Sequence, residues 1–399
     1  MPSRTDPARP LGGGGGAEAC DLRVLALDSE FRPVGAPRTL TPRRVALWGM
    51  TWTRDARWIV YSGFRDYLYR VRADGGSVPE RIELAGTGNL NPFTASSRDR
   101  LGFVRYTPDL DIYQVDLKTG AETPLLASPE GEVHPQYSPD GRRIAFCSNR
   151  EGDASAVWLA DADGANPLRL TRGPGRNQGW PRWSPDGSML SFSAQAEDLH
   201  SDVWTMRADG SGLHQMTHRA GDRGPSSWSR DGRWIYFSSD RTGRREIWRL
   251  AVDGSSEQQV TREGGYFPFE SWDGRTLFYK RMEHPVDGPL LARSTAGGQE
   301  RSVAKCVPDW SYAVASHGVF YLECDPPGGV TLASTSAANR NPRLTLRYWD
   351  AQTGRYRPIA TLDTGGWGSY GMSLSPDGER ILFTRVKGDS ELMMIENFR

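Results

Sequence analysis

The stretch Ser229-Arg230-Asp231-Gly232-Arg233-Trp234-Ile235-Tyr236-Phe237, followed by Glu246-Ile247-Trp248-Arg249-Leu250, decides the fold. Its first four residues are turn chemistry: Asp tolerates a left-handed backbone and bonds its own chain two residues on, and Gly has no Cβ to clash. The apolar runs beside the turn are short and rich in aromatic and β-branched side chains. The second run alternates with the period of two that marks a half-buried strand. Asp253-Gly254 follows as a second hairpin turn.

Working outward, the same element recurs as Ser138-Pro139-Asp140-Gly141, Ser184-Pro185-Asp186-Gly187, Ser271-Trp272-Asp273-Gly274 and Ser375-Pro376-Asp377-Gly378. Thr53-Arg54-Asp55 and Ser97-Arg98-Asp99 are worn copies. The aspartates at 55, 99, 140, 186, 231 and 273 lie 44, 41, 46, 45 and 42 residues apart, and the next interval, 104, is about twice the period. His317-Gly318, between Tyr312-Ala313-Val314 and Val319-Phe320-Tyr321, fits the missing place and brings the copies to eight. Paired runs such as Ile144-Ala145-Phe146 with Val157-Trp158-Leu159 accompany the markers, and Asp74-Gly75, Thr119-Gly120, Asp163-Gly164, Asp209-Gly210 and Thr353-Gly354 supply the second turns. Two hairpins per period of about 44 residues predict an all-β chain, a β-propeller of four-stranded blades. The expected count is eight blades, with seven as the alternative if Pro308 to Arg355 does not form a full sheet. Blade-to-blade packing explains Trp52, Tyr137, Trp183 and Trp228 just before the turns.

Leu22 to Leu27 and Pro37 to Thr41 read as outer strands that lack inner partners, while Gly371 to Thr384 and Leu392 to Ile395 read as inner strands at the far end. The expectation is a ring closed by the two termini sharing one blade, which leaves no open sheet edge. Residues 1–20 are expected to be disordered and residues 21–399 to form a single propeller domain. Pro326 to Asn341, rich in small polar residues, reads as a long loop.

Gly and Pro together make up nearly a fifth of the 399 residues, too much punctuation for a helical bundle. Lys+Arg 49 against Asp+Glu 49 leaves no net charge, which argues against nucleic acid as a partner of these residues. No apolar run approaches a membrane span, and the first twenty residues lack the apolar segment of an export signal. The chain as written is expected to be cytoplasmic, or periplasmic if its N-terminus is truncated. Cys20, Cys147, Cys306 and Cys324 show no C-x-x-C spacing. Free packed thiols are expected, with Cys306 and Cys324 as the pair that an oxidising compartment would join.

Ser138 to Gly152 with Val157-Trp158, and Ser229 to Gly243 with Ile247-Trp248, resemble the TolB-type, WD40-like (PD40) propeller repeat, and the likeness covers about residues 22 to 399. Pro37 to Thr41, Ser229 to Phe237, Phe269-Glu270-Ser271 and Glu396-Asn397-Phe398-Arg399 resemble the C-terminal propeller of bacterial winged-helix regulators and serine/threonine kinases. The resemblance implies a sensor or scaffold module.

The repeat also resembles the propeller of prolyl-oligopeptidase-type serine peptidases. Gly366-Trp367-Gly368-Ser369-Tyr370-Gly371 comes near their nucleophile elbow, but Trp367 stands where a Gly is needed, and all six histidines precede Ser369. No catalytic residues are therefore assigned. His214 and His218, four apart in a predicted outer strand, would stand about 13 Å from each other. With no third ligand evident, no metal and no cofactor are expected, and the repeated aspartates read as turn residues rather than calcium ligands.

Loops that join one blade's last strand to the next blade's first strand converge on the mouth of a propeller channel. Counting back from the markers, they contribute Asn91, His134, Trp180, Arg182, Phe267, Trp310 and Tyr370. The expected function is a non-enzymatic, monomeric sensor or scaffold that binds a protein, peptide or small ligand there. The alternative is an accessory propeller that gates substrate for a prolyl-oligopeptidase-type hydrolase whose catalytic domain is carried elsewhere.

Overall fold

The computed structural model describes residues 19–398 apart from 42–44, 47–48, 63–66, 86–88, 96–98, 152–153, 174, 176, 197–199, 219–224, 282–286, 325–342 and 366–368. Residues 1–18 of the segment expected to be disordered and the expected loop at Pro326 to Asn341 fall outside them, whereas Ala19–Cys20 form a short strand paired with Val45–Ala46. Among the described residues the only helical turn is Glu83–Ala85, and the rest of the regular structure is antiparallel sheet. The chain divides into two compact units, residues 1–108 with 388–399, and residues 109–387.

Each sheet grows from the marker turn. The Ser138 hydroxyl donates to Asp140 Oδ1 at 2.6 Å and accepts from the Arg143 N–H at 2.9 Å. The same Asp140 oxygen accepts the Arg142 N–H at 3.1 Å, and Gly141 takes φ 71°, a conformation open to Gly. Ser184/Asp186, Ser229/Asp231, Ser271/Asp273 and Ser375/Asp377 repeat the arrangement. These bonds satisfy the turn locally, so each hairpin's register is set within six residues.

Within residues 109–387 five four-stranded blades follow one another, and a sixth sheet, of five strands, has two long strands that run beyond these bounds. Blade 1 is Glu132–Tyr137, Arg143–Ser148, Ala156–Asp161 and Leu168–Arg169. Blade 2 is Asn177–Trp183, Met189–Gln195, Ser201–Arg207 and His214–Gln215. Blade 3 is Ser227–Trp228, Trp234–Ser239, Glu246–Ala251 and Glu257–Gln259. Blade 4 is Tyr266–Glu270, Thr276–Lys280, Asp287–Ser294 and Arg301–Pro308. Blade 5 is Tyr312–Ala315, Gly318–Glu323, Arg343–Asp350 and Tyr356–Asp363, so the irregular stretch does form a full sheet. The sixth sheet, blade 6, orders Met372–Leu374, Arg380–Ile395, Arg100–Asp116 and Glu122–Leu126, with Asn89–Ala95 as a fifth strand on Arg100–Asp116.

Hydrogen bonds stitch each blade to the next. Trp183 N donates to Gln136 Oε1, Trp228 Nε1 to the Arg182 carbonyl, Arg230 N to Glu270 Oε2, the Tyr312 hydroxyl to the Phe267 carbonyl, and Ser369 N to Ser311 Oγ. Tyr137 N donates to Ser373 Oγ, which returns the series from blade 6 to blade 1. Between the sheets lie apolar clusters such as Phe146, Trp158 and Ile144 with Ile112 and Leu382. Tyr137, Trp183 and Trp228 are buried as expected, whereas Trp52 is 45% exposed.

Six of the eight marker copies belong to these blades, and those at Asp55 and Asp99 lie in the other unit. The late strands take a partner other than the N-terminal strands expected to complete their blade. The late hairpin pairs with Arg100–Asp116, while Arg23–Leu27 and Pro33–Thr39 pair with one another. That hairpin closes on itself because Asp28 Oδ1 accepts both the Glu30 and Arg32 N–H groups. The remaining strands of this unit include Gly49–Trp52, Trp58–Ser62, Leu68–Arg72 and Glu80–Arg81, with a core of Val60, Leu68, Leu101 and Phe103.

Cysteine pairing corrects the expectation of free thiols. Cys306 and Cys324 are joined by a disulfide, because Cys324 N donates to the Cys306 carbonyl at 3.3 Å and brings the two backbones side by side. Cys147 is free and buried.

Candidate functional site

Bulges on the inner strands build the site. In blades 1, 2 and 4 the innermost pairing shifts register between Val133 and Gln136, between Gly179 and Arg182, and between Tyr266 and Phe269. An extra residue at a bulge re-aims its side chain. Here those residues are His134 at φ 59°, Trp180 at φ 60° and Phe267 at φ 56°, and Trp310, in the short link between blades 4 and 5, joins them at φ 57°. A left-handed backbone costs a non-Gly residue about 1–2 kcal/mol, so four bulky rings hold an unfavourable conformation in one place.

The rings meet. His134 stacks on Trp180 with centroids 3.4 Å apart, Trp180 lies 4.8 Å from Trp310, and Trp310 stacks on Tyr370 at 5.5 Å. Phe267 meets Trp180 edge-on at 5.9 Å, and the His134 N–H donates to the Tyr370 carbonyl at 2.8 Å. Trp180 and Phe267 are buried, and His134, Trp310 and Tyr370 are half-buried. Arg182 lies beneath, 1% exposed, its guanidinium carbon 5.7 Å from the Phe267 ring and 5.1 Å from Phe269. Six of the seven expected residues are thus brought together. Asn91 stands in the N-terminal unit, opposite Val104 in the pairing of Asn89–Ala95 with Arg100–Asp116.

Counting from the markers misses the residues behind the rings. Phe269 and Tyr312 pack edge-on to Phe267 at 4.9 and 5.2 Å. Asp309 accepts from the Tyr266 hydroxyl and, at 3.3 Å, from Lys280 Nζ. Lys280 is fully buried and also donates to the Val307 carbonyl. Burial pushes the Lys280 ammonium below its ordinary pKa, opposed by the Asp309 carboxylate. Burial, reinforced by Asp309, pushes the Tyr266 phenol well up. The sequence signal available was Lys280 itself, a charge closing an apolar strand.

Two side chains with nucleophilic atoms, Ser369 and Cys147, are held by their surroundings. The Ser369 hydroxyl donates to the Gly371 carbonyl at 2.7 Å and accepts from the Thr384 N–H at 2.8 Å, so it ties a strand in place. Gly366 to Gly368 lie outside the described residues. Burial pushes the Cys147 thiol up to about 12, which keeps it protonated and inert. His214 and His218 are both exposed. Asp287, Cys306 and Cys324 place their ligand atoms within 4.8 Å of one another, but the disulfide uses both sulfurs.

Residues 172–343 match the TolB β-propeller domain (PD40). An uncharacterized protein of Agrobacterium fabrum is 34% identical over 256 residues, 59% of this chain and 68% of that protein. An uncharacterized peptidase of Bacillus subtilis, YuxL, is 38% identical over 66 residues, 16% of this chain and 10% of the peptidase. Among solved structures, TolB from Acinetobacter baumannii superposes with TM-score 0.51 at 16% identity, covering 86% of this chain and 81% of its own. No helix among the described residues is long and apolar enough to cross a membrane.

Proposed function

The chain belongs to the TolB β-propeller family, and from that premise we propose that it is a non-enzymatic binding module. It takes a protein segment, peptide or small ligand at the face formed by His134, Trp180, Phe267, Trp310 and Tyr370, with Arg182 behind them. The observation that carries this reading is the convergence of four left-handed, bulky residues, three from the inner strands of blades 1, 2 and 4 and one from the link between blades 4 and 5, into one cluster of rings. Packing alone is served by right-handed or extended backbone, and strained rings that cluster at one face are the mark of a clamp. Aromatic side chains offer large rigid contact area with little rotamer freedom to lose on binding.

A second reading, an accessory propeller for a separately encoded hydrolase, is favoured by the similarity to the Bacillus subtilis peptidase over 66 residues. Titrating a peptide library against the intrinsic tryptophan fluorescence tests the first reading. Saturable binding abolished by Trp310→Ala, with no turnover of peptide or ester substrates, is the expected result. Hydrolysis by the purified chain overturns it, and activation of a separate catalytic chain favours the second reading.

A further inference from the structure

Arg182 is a fully buried cation, and it forms no ion pair among the described residues. Its Nη1 donates to the Pro181 carbonyl at 3.2 Å, whereas Nε and Nη2 have no hydrogen-bond partner among the described residues. Those two nitrogens share the side-on edge of the guanidinium, the edge that grips a carboxylate with two parallel N–H···O bonds. The groups electrostatically nearest, Cys147 and Tyr312, are both held neutral by burial. The rings of Phe267 and Phe269 attract the cation but leave its N–H groups unmatched. An uncompensated buried charge is among the costliest arrangements a fold can keep, so an anion that completes it is the economical explanation.

The neighbourhood suits a small, flat anion. Arg182 pairs across to Ser191, and Ser226, on the approach to blade 3, donates to that serine's hydroxyl at 2.9 Å. The next residue, Ser227, is 3% exposed and its hydroxyl has no partner among the described residues, which supplies a further donor in blade 3. Blade 3 places Pro225 where blades 1, 2 and 4 place rings, and Ser227 stands two before its marker serine, the place that Arg182 holds in blade 2 and Phe269 in blade 4. One guanidinium edge and one hydroxyl match two oxygens of a monoanion, and fall short of a phosphate dianion.

We infer that Arg182, with Ser227, recognises a carboxylate, the C-terminus of a peptide or a free carboxylic acid, presented to the aromatic face. This deepens the proposed binding role and rests on it. The test is calorimetry of the whole chain with N-acetyl-trialanine, its C-terminal amide, and sodium acetate. The acid is expected to bind roughly tenfold to a hundredfold more tightly than the amide, and folded Arg182→Gln to lose that preference.

Competition by acetate assigns the site to small carboxylic acids, and its absence assigns it to peptide C-termini. Equal affinity for acid and amide removes the carboxylate role and leaves the aromatic face standing. No binding of either, with no effect of acetate on the melting temperature, removes both. Since the acid–amide comparison uses the unaltered chain, it decides even if Arg182→Gln fails to fold. A preference kept by a folded Arg182→Gln overturns the assignment to this residue.

Discussion

His134 and Trp180 stack ring on ring with 3.4 Å between centroids, and both do so from left-handed backbone, at φ 59° and 60°. The two residues occupy equivalent places in successive blades, each four positions before its marker serine. One local device, a bulge on the inner strand, therefore operates twice and aims two side chains at the same point. Phe267 repeats it in blade 4. The cost of these conformations and the contact they create arise from the same backbone angles, which allows them to be separated by substitution.

Trp310 separates them most simply, because it is half-buried and has φ 57°. Trp310→Ala and Trp310→Gly delete the same ring and differ by one Cβ in a left-handed conformation. The glycine variant is expected to be the more stable by about 1 kcal/mol. Urea midpoints of the two variants check it. An alanine variant that is clearly the more stable would show that the conformation is not left-handed in solution.

The marker turns make stability depend on acid. Hydrogen bonds from Ser138, Ser184, Ser271 and Ser375 are the main cause that lowers the Asp140, Asp186, Asp273 and Asp377 carboxylates, aided by backbone N–H groups two residues on. A carboxyl lowered in the folded state stabilises fully above its unfolded pKa, near 3.9, and that contribution is lost as pH falls through the folded value. Urea midpoints are expected to be flat in these groups from pH 7 to 5 and to fall below about pH 4. Since hydrogen bonds rather than ion pairs dominate, 1 M NaCl should leave most of the fall in place, and its disappearance in salt would refute the assignment.

The markers were legible because their bonds are local: Ser138 to Arg143 spans five residues and needs no other part of the chain. From them the blades, and even the ring residues, followed by counting. Legibility ended where partners come from distant sequence. Arg182 reads as a polar mouth residue, and only the approach of Phe269 from two blades away shows it to be buried. Cys306 and Cys324 are eighteen residues apart with most of an inner hairpin between them, so their pairing depended on strand placement. The partner of the late strands was misplaced for a similar reason. Leu22 to Thr41 has the apolar pattern of outer strands, but the bonds at Asp28 fold it back on itself.

Lys280 and Asp309 form a buried pair whose separate halves are expected to be worth far more than the whole. Lys280→Met leaves the Asp309 carboxylate buried with the Tyr266 hydroxyl alone, and a loss of about 3–5 kcal/mol is expected. Adding Asp309→Leu removes the stranded charge and should recover a large part of that loss. A double-mutant cycle by urea unfolding measures the coupling. Strict additivity of the two changes would mean that the pair does not exist.

Gly371 supports the stack from behind. It has φ 105°, and a Cβ placed on it would meet the Cα of His134 at 3.0 Å and the Pro135 ring at 3.4 Å. Backbone cannot retreat as a flexible side chain can, so Gly371→Ala must displace the inner strand of blade 1 or twist its own. Either movement acts on the link between the His134 N–H and the Tyr370 carbonyl, at 2.8 Å, and through it on both ends of the row from Tyr370 to His134. The expected result is a loss of about 1–3 kcal/mol, unchanged far-ultraviolet circular dichroism, and a weakened near-ultraviolet signal from Trp180 and Trp310. Ligand binding at the aromatic face should weaken with it. A variant of full stability with an unchanged near-ultraviolet spectrum would mean that Gly371 and His134 do not approach as closely as the structure places them.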